Sequence, residues 1–207
     1  MKKNLIKLFM MTLIGLSLAG CYPSGPDYAE ELDVVYSDYD SQFDFKSKST
    51  YSIPSKIVVD IEENIDGSID TIYMKDIYAQ PILNSIKANM TKNGWTETSI
   101  DNNPDMLVTP GAISSTTVFY SYWYDWWYGG YYGGWGWYYP PYYSVSSITT
   151  GSLVIVMANP NTDSAINRVP RAWLTSISGV LSGDYNLSRV EKGINQAFKQ
   201  SPYLKIN

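Results

Sequence analysis

Residues 151–158 read Gly-Ser-Leu-Val-Ile-Val-Met-Ala, and the unbroken apolar run Leu153-Val154-Ile155-Val156-Met157 within them decides the fold. A strand with one wet face alternates apolar and polar residues. A continuous run marks a central strand covered on both faces, or by helices on one face and loops on the other. This strand is expected to start near Ser144 and end at Ala158, where Asn159-Pro160-Asn161 turns the chain.

Its companions lie on both sides. Asp105-Met106-Leu107-Val108-Thr109 has the composition of a core strand, and Ile113–Tyr122 that of a second one rich in Thr and aromatics. Ile166–Leu181 supplies another, interrupted by Pro170 and therefore bulged or at an edge. Upstream, Val34-Val35-Tyr36 and Thr50-Tyr51-Ser52-Ile53 read as strands, with Asp38-Tyr39-Asp40 and Phe43-Asp44-Phe45 forming an aromatic-plugged turn between them. Lys56–Ile61 and Ile69–Tyr73 flank Asp66-Gly67, a hairpin signal.

Two segments have helical period instead. In Ile77–Asn93, Tyr78, Ile82, Ile86 and Met90 fall four apart and Leu83 widens the stripe. Gly94 is placed to end this helix, and Trp95 to pack under it. Pro81 belongs in the first turn or kinks the helix. Near the C-terminus, Ser188-Arg189-Val190-Glu191 reads as a capping box. It opens a helix with Val190, Ile194, Ala197 and Phe198 on one face, ending at Pro202. Two single-stripe helices need one shared surface to cover. The expected fold is a single α+β domain, an antiparallel sheet of four to six strands with both helices on one face.

The N-terminus carries the clearest functional signal. Lys2, Lys3 and Lys7 precede the apolar run Leu8–Leu18, and Leu18-Ala19-Gly20-Cys21 follows. A basic region, a short apolar core and small residues before a cut site make a secretory signal peptide. The run is shorter than the ~20 residues of a membrane-spanning helix. A Cys directly after Leu-Ala-Gly is the bacterial lipobox pattern, and Cys21 is the only Cys of the 207 residues. The expected organisation is a signal peptide (1–20), a Pro- and Gly-containing tether on lipidated Cys21 (21–32) and an envelope domain (33–207). Glu30-Glu31 in the tether raises the alternative of an export signal to the cell surface; a solvated linker is the simpler reading.

Composition narrows the function. Removing 1–20 takes away three of the 15 basic residues, leaving 12 against 20 acidic ones, a net charge of −8. Asn93–Asn167 contains no Lys or Arg, so nucleic-acid binding through phosphate contacts is excluded. A polybasic attachment to anionic lipid is equally unsupported. There is no His, hence no usual general base and no Ser-His or Cys-His nucleophile pair. With Cys21 used for lipid, no cysteine is left for a disulfide or metal cluster. Catalysis would rest on carboxylates, Lys, Tyr or a Ser-Lys pair.

The most unusual stretch of the mature chain is 119–143. It holds sixteen aromatics in 25 residues, no aliphatic residue and one charge, Asp125. Packed cores use Leu, Ile and Val to fill gaps, so this is not ordinary core. Its rings suit contact with sugars, with a membrane interface or with another envelope protein, or form a low-complexity loop without a ligand. The residues singled out for contact are Tyr122, Trp123, Trp126, Trp127, Trp135 and Trp137. Glu62–Asp70 has the alternating oxygens of a calcium loop. Its twelfth position is Tyr73 where calcium takes a bidentate carboxylate, so a solvated hairpin is expected and no metal or cofactor is assigned. Ser85 and Lys87, two apart, point to different sides of a helix and make no dyad.

The order of several motifs resembles a known family. They are Ser37-Asp38-Tyr39-Asp40 with Asp44-Phe45 and Thr50-Tyr51, then Asn93-Gly94-Trp95 and Pro104-Asp105-Met106-Leu107-Val108. The Tyr/Trp/Gly-rich middle, Gly151-Ser152-Leu153-Val154-Ile155 and a C-terminal helix ending near Ser201-Pro202 complete the set. Over about residues 33–203 the chain resembles the uncharacterised bacterial lipoprotein family known as domain of unknown function 4136. The acidic hairpin at 60–70 departs from it as an insertion, and Val169-Pro170-Arg171-Ala172-Trp173 fits the family's Trp-containing strand loosely. The resemblance implies an envelope-anchored α+β domain and no activity.

These features point to a lipid-anchored, non-catalytic binding or structural module of the cell envelope. It is expected at the periplasmic face of the outer membrane or exposed at the surface, with another envelope protein or glycan as partner. The alternative is an envelope enzyme acting on glycan through paired carboxylates, whose spacing no sequence order reveals.

Overall fold

The computed structural model describes residues 33–63, 65–66, 69–113, 151–160, 171–182 and 185–206. Among them, eight strands form one sheet. They are β1 Val35–Tyr39, β2 Thr50–Ser52, β3 Val58–Glu63, β4 Ile69–Tyr73, β5 Thr96–Glu97, β6 Met106–Ile113, β7 Ser152–Ala158 and β8 Arg171–Ile177. Two α-helices accompany them, α1 Asp76–Lys92 and α2 Leu187–Lys199. The fold is α+β, and residues from Leu32 onward make one compact unit. No helix among the described residues is long and apolar enough to cross a membrane.

β7 is buried along its whole length and lies between β6 and β8, antiparallel to both. This is the central strand that the run Leu153–Met157 predicts. Its alternate residues Leu153, Ile155 and Met157 join Met106, Val108, Trp173 and Ile177 in one core with the helices. Val154 and Val156, pointing the other way, are buried as well.

The sheet corrects the sequence expectation in two respects. It has eight strands rather than four to six, and it is mixed rather than antiparallel. The order is β1-β8-β7-β6-β2-β5, with β3 also on β6 and β4 on β3. β2 and β3 both run parallel to β6, end to end along one edge: Tyr51 faces Met106, and Val58 faces Gly111. Pro110, which has no N–H to donate, lies opposite the gap between them. The chain reaches β6 from β3 through the β4 hairpin and α1, the kind of crossover a parallel pair requires. Alternation in a sequence shows that strands exist and does not show their direction.

A side-chain joint fixes the start of the parallel pairing. Asp105 Oδ2 accepts from the N–H groups of Ser49 and Thr50 and from the Thr50 hydroxyl, each at 2.9 Å. The same hydroxyl accepts from the Asp105 N–H at 3.0 Å. Burial pushes the Asp105 carboxyl up. The three donors together outweigh it, with Lys48 adding to them, and hold the carboxyl below its usual range.

α1 buries Ala79, Ile82, Leu83, Ile86 and Met90, and α2 buries Val190, Ile194, Ala197 and Phe198. Each large aliphatic side chain contributes about 1.5–3 kcal/mol of transfer free energy. Both stripes enter the same core against the same sheet face, as two amphipathic helices should. α1 ends as expected: Gly94 adopts φ 95° and the Trp95 N–H returns to the Met90 carbonyl. Trp95 is 2% exposed, and its indole N–H donates to the Leu204 carbonyl at 2.8 Å.

Two local expectations are corrected, and a third is decided between its alternatives. Pro81 stands in the second turn of α1, since the helix opens at Asp76. The Ile77 carbonyl it leaves without a helical partner belongs to a residue that is 74% exposed. The cap of α2 is Asn186, whose side chain accepts from the Arg189 N–H at 3.2 Å, so Ser188 lies inside the helix and no Ser188–Glu191 box forms. β8 is not an edge strand, since β1 covers its outer side. It does carry a bulge, where pairing steps from Trp173–Met157 to Arg171–Ala158, next to Pro170. Pro170 itself, the segments 114–150 and 161–170, and the proposed signal and tether lie outside the described residues.

Candidate functional site

The two helices run side by side in the same direction. Tyr185 meets Tyr78 at their N-terminal ends and Asn195 meets Asn89 toward their C-terminal ends, with sequence offsets of 107 and 106. With their apolar stripes turned to the sheet, their polar faces meet at the solvent side. An open groove of about 500 Å3 results. From α1 it is lined by Pro81, Asn84, Ser85, Ala88 and Asn89, and from α2 by Glu191 and Asn195.

Helical spacing puts these residues there. Ser85 and Asn89, Asn84 and Ala88, and Glu191 and Asn195 are all i, i+4 pairs, stacked along one face. Ala88 and Ser85 are small, so the groove stays open between the longer amides. Asn89 is held from two sides: its Nδ2 donates to the Ser85 carbonyl at 2.9 Å and to Asn195 Oδ1 at 2.8 Å. The second bond orients the Asn195 amide and leaves its own NH2 free to donate. Among the described residues nothing pairs with the Asn84 amide or forms an ion pair with the Glu191 carboxylate.

An aromatic pair lies one helical turn before Pro81. Tyr78 and Tyr185 have ring centroids 4.5 Å apart at 47°, and the Tyr185 hydroxyl reaches toward the Tyr78 carbonyl at 3.4 Å. Burial raises the Tyr185 phenol, and the negative charge of Glu191 and the neighbouring Tyr78 raise it further. Among the described residues the groove itself is lined by three amides, one hydroxyl and one carboxylate. Amides both donate and accept, and the carboxylate only accepts.

None of the residues singled out from sequence for lipidation or contact falls in the described structure. Cys21, Tyr122, Trp123, Trp126, Trp127, Trp135 and Trp137 all lie outside it. The acidic strands β3 and β4 do form the expected antiparallel hairpin. Among the described residues no three carboxylates come together as a metal site. Lys87 faces away from Ser85 toward Glu97, with which it pairs at 2.7 Å.

The groove residues were missed by sequence reasoning, which looked for reactive groups and apolar periods. The signal available was the amide content: Asn84, Asn89 and Asn195 occupy solvent faces of helices where Lys, Glu and Arg form helix better. The residues that carried the family resemblance are structural joints instead. Thr50 and Asp105 lock β2 to β6, and Asn93-Gly94-Trp95 closes α1 onto the C-terminus. Ser201 accepts from the Trp173 indole at 3.0 Å and from the Tyr203 hydroxyl at 3.1 Å.

Comparison with known proteins agrees with that pattern. The model of DUF4136, a domain of unknown function, matches residues 35–203. The structure is similar to the 1.60 Å crystal structure of a DUF4136 family protein from Bacteroides thetaiotaomicron, with a TM-score of 0.62 and 28% identity. The match covers 84% of this chain and 98% of that one. No curated protein matches the chain.

Proposed function

The chain belongs to the DUF4136 family, a domain of unknown function, and on that premise we propose that it is a lipid-anchored, non-catalytic binding module of the bacterial cell envelope. The observation that carries this is Cys21, the only cysteine, directly after Leu18-Ala19-Gly20 and a basic–apolar leader. Lipid on Cys21 would tether the domain through residues 21–32, at the periplasmic face of the outer membrane or at the cell surface.

The binding role is supported by the groove between α1 and α2. It is open and amide-lined, with a single carboxylate among the described residues, Glu191. Glycoside hydrolysis by the usual route uses two carboxylates flanking the bond, so this groove suits holding a ligand better than cleaving one. The aromatic tract 119–143 is a second contact region on compositional grounds alone.

Metabolic labelling with a clickable fatty acid tests the anchor. Wild type should be labelled and sediment with membranes, and Cys21→Ser should be unlabelled and either released or left with its leader. An unlabelled wild type that stays in the soluble fraction overturns the proposal.

A further inference from the structure

We propose that the groove between α1 and α2 is a glycan site, taking a short stretch of a neutral chain that bears hydroxyl and acetamido groups. This deepens the reading of the domain as an envelope binding module and rests on it.

Size comes first. The groove is open to solvent, and its volume of about 500 Å3 leaves room for a few sugar rings laid along it. Its chemistry then selects the ligand. Asn84 and Asn195 offer amide N–H donors and carbonyl acceptors on facing helices, and Glu191 offers two carboxylate oxygens to hydroxyl donors. Sugars carry both kinds of group at close spacing, and an acetamido group matches an Asn side chain donor for acceptor. The bond from Asn89 sets the Asn195 amide before any ligand arrives, which reduces the ordering required on binding.

Charge removes the competitors. Among the described residues the groove lining contains no cation, and Glu191 together with the acidic chain repels an anion. A cation would find one carboxylate among amide donors. A peptide docks by strand addition to a sheet edge or by apolar side chains in pockets. This groove lies on helices and offers small and polar side chains.

Isothermal titration calorimetry tests it, using the full chain purified with its lipid in a detergent that has no sugar headgroup. The probes are chitotetraose, which carries acetamido groups, and cellotetraose, which does not. Wild type should bind chitotetraose saturably and more tightly than cellotetraose. Glu191→Gln and Asn84→Ala, both exposed or half-exposed changes that leave the core untouched, should each weaken it about tenfold. Lys199→Ala, at the end of α2 and outside the groove, should leave it unchanged. No heat with either sugar, or unaltered affinity in both groove variants, overturns the glycan assignment. If fatty-acid labelling persists in that case, the anchored module stands without it. Chitotetraose shortened during the titration would overturn the non-catalytic reading as well.

Discussion

Asn89 and Asn195 hydrogen-bond across the two helices at 2.8 Å, 106 residues apart in sequence, and this bond spans the floor of the candidate site. It joins segments whose apolar stripes already share the core, so it positions rather than folds them. Replacing either Asn by Ala improves helix propensity while removing the bond, which blurs the single variants. A double-mutant cycle cancels the propensity term. The coupling between Asn89→Ala and Asn195→Ala is expected at about 1 kcal/mol by urea unfolding. A coupling near zero would mean that the two amides do not hold each other in solution.

Asp33 and Arg189 form a paired, nearly buried ion bridge, with side chains 14% and 12% exposed. Both guanidinium Nε and Nη2 donate to the carboxylate. Asp33 is the residue after the proposed tether, so the bridge pins the chain where it enters the domain. Asp33→Ala removes the carboxylate that holds a mostly buried guanidinium and should destabilise by about 3 kcal/mol. Asp33→Ala with Arg189→Met should recover part of the loss, because the buried charge that lost its carboxylate is gone. Chemical denaturation of the three variants checks the order.

Asp105 gives the protein an acid-sensitive joint. Its carboxyl is held below the usual range in the folded state, so the ionised form is bound more tightly there than in the unfolded chain. The stabilisation is complete above the unfolded value of about 3.9 and is lost as pH falls through the lower folded value. Asp105→Asn should therefore be less stable than wild type at neutral pH and show a shallower loss of stability below about pH 4. Thermal melts from pH 7 to pH 2 measure both. Equal pH slopes would contradict the joint.

At Gly193 α2 packs directly against Ile177 of β8. A Cβ added there would stand 2.5 Å from Ile177 Cγ2, the methyl of a stiff, fully buried side chain. Alanine is the better helix former by about 1 kcal/mol. Overpacking of about 1–3 kcal/mol opposes it. Gly193→Ala should be destabilising on balance, and Gly193→Ala with Ile177→Val should not restore wild-type stability, since valine keeps the clashing γ-methyl branch. Melting temperatures decide the sign.

Element positions were largely legible in the sequence. The run Leu153–Met157 marked the central strand, and the four-residue spacing from Tyr78 to Met90 marked α1 within a residue at each end. Strand direction was not legible. Nothing in the composition of Thr50–Ser52 says that it pairs parallel to β6, because the cause is tertiary: the Thr50–Asp105 joint and the crossover through α1. The cap of α2 was misplaced by two residues, since both Asn186 and Ser188 can cap and only packing chooses between them. The groove was invisible for a related reason. Its members look like ordinary solvent-facing residues until the parallel pairing of the helices sets Asn84 and Ser85 opposite Glu191, and Asn89 opposite Asn195.

The most direct measurement is an NMR titration of the full-length lipidated protein, 15N-labelled at Asn and held in a detergent without sugar headgroups, with chitotetraose. The side-chain NH2 signals of Asn84, Asn89 and Asn195 should move together and saturate at one common concentration, while those of Asn102 and Asn186 stay in place. Asn signals that remain still throughout, or that move only outside the groove, would contradict a glycan module built on these two helices.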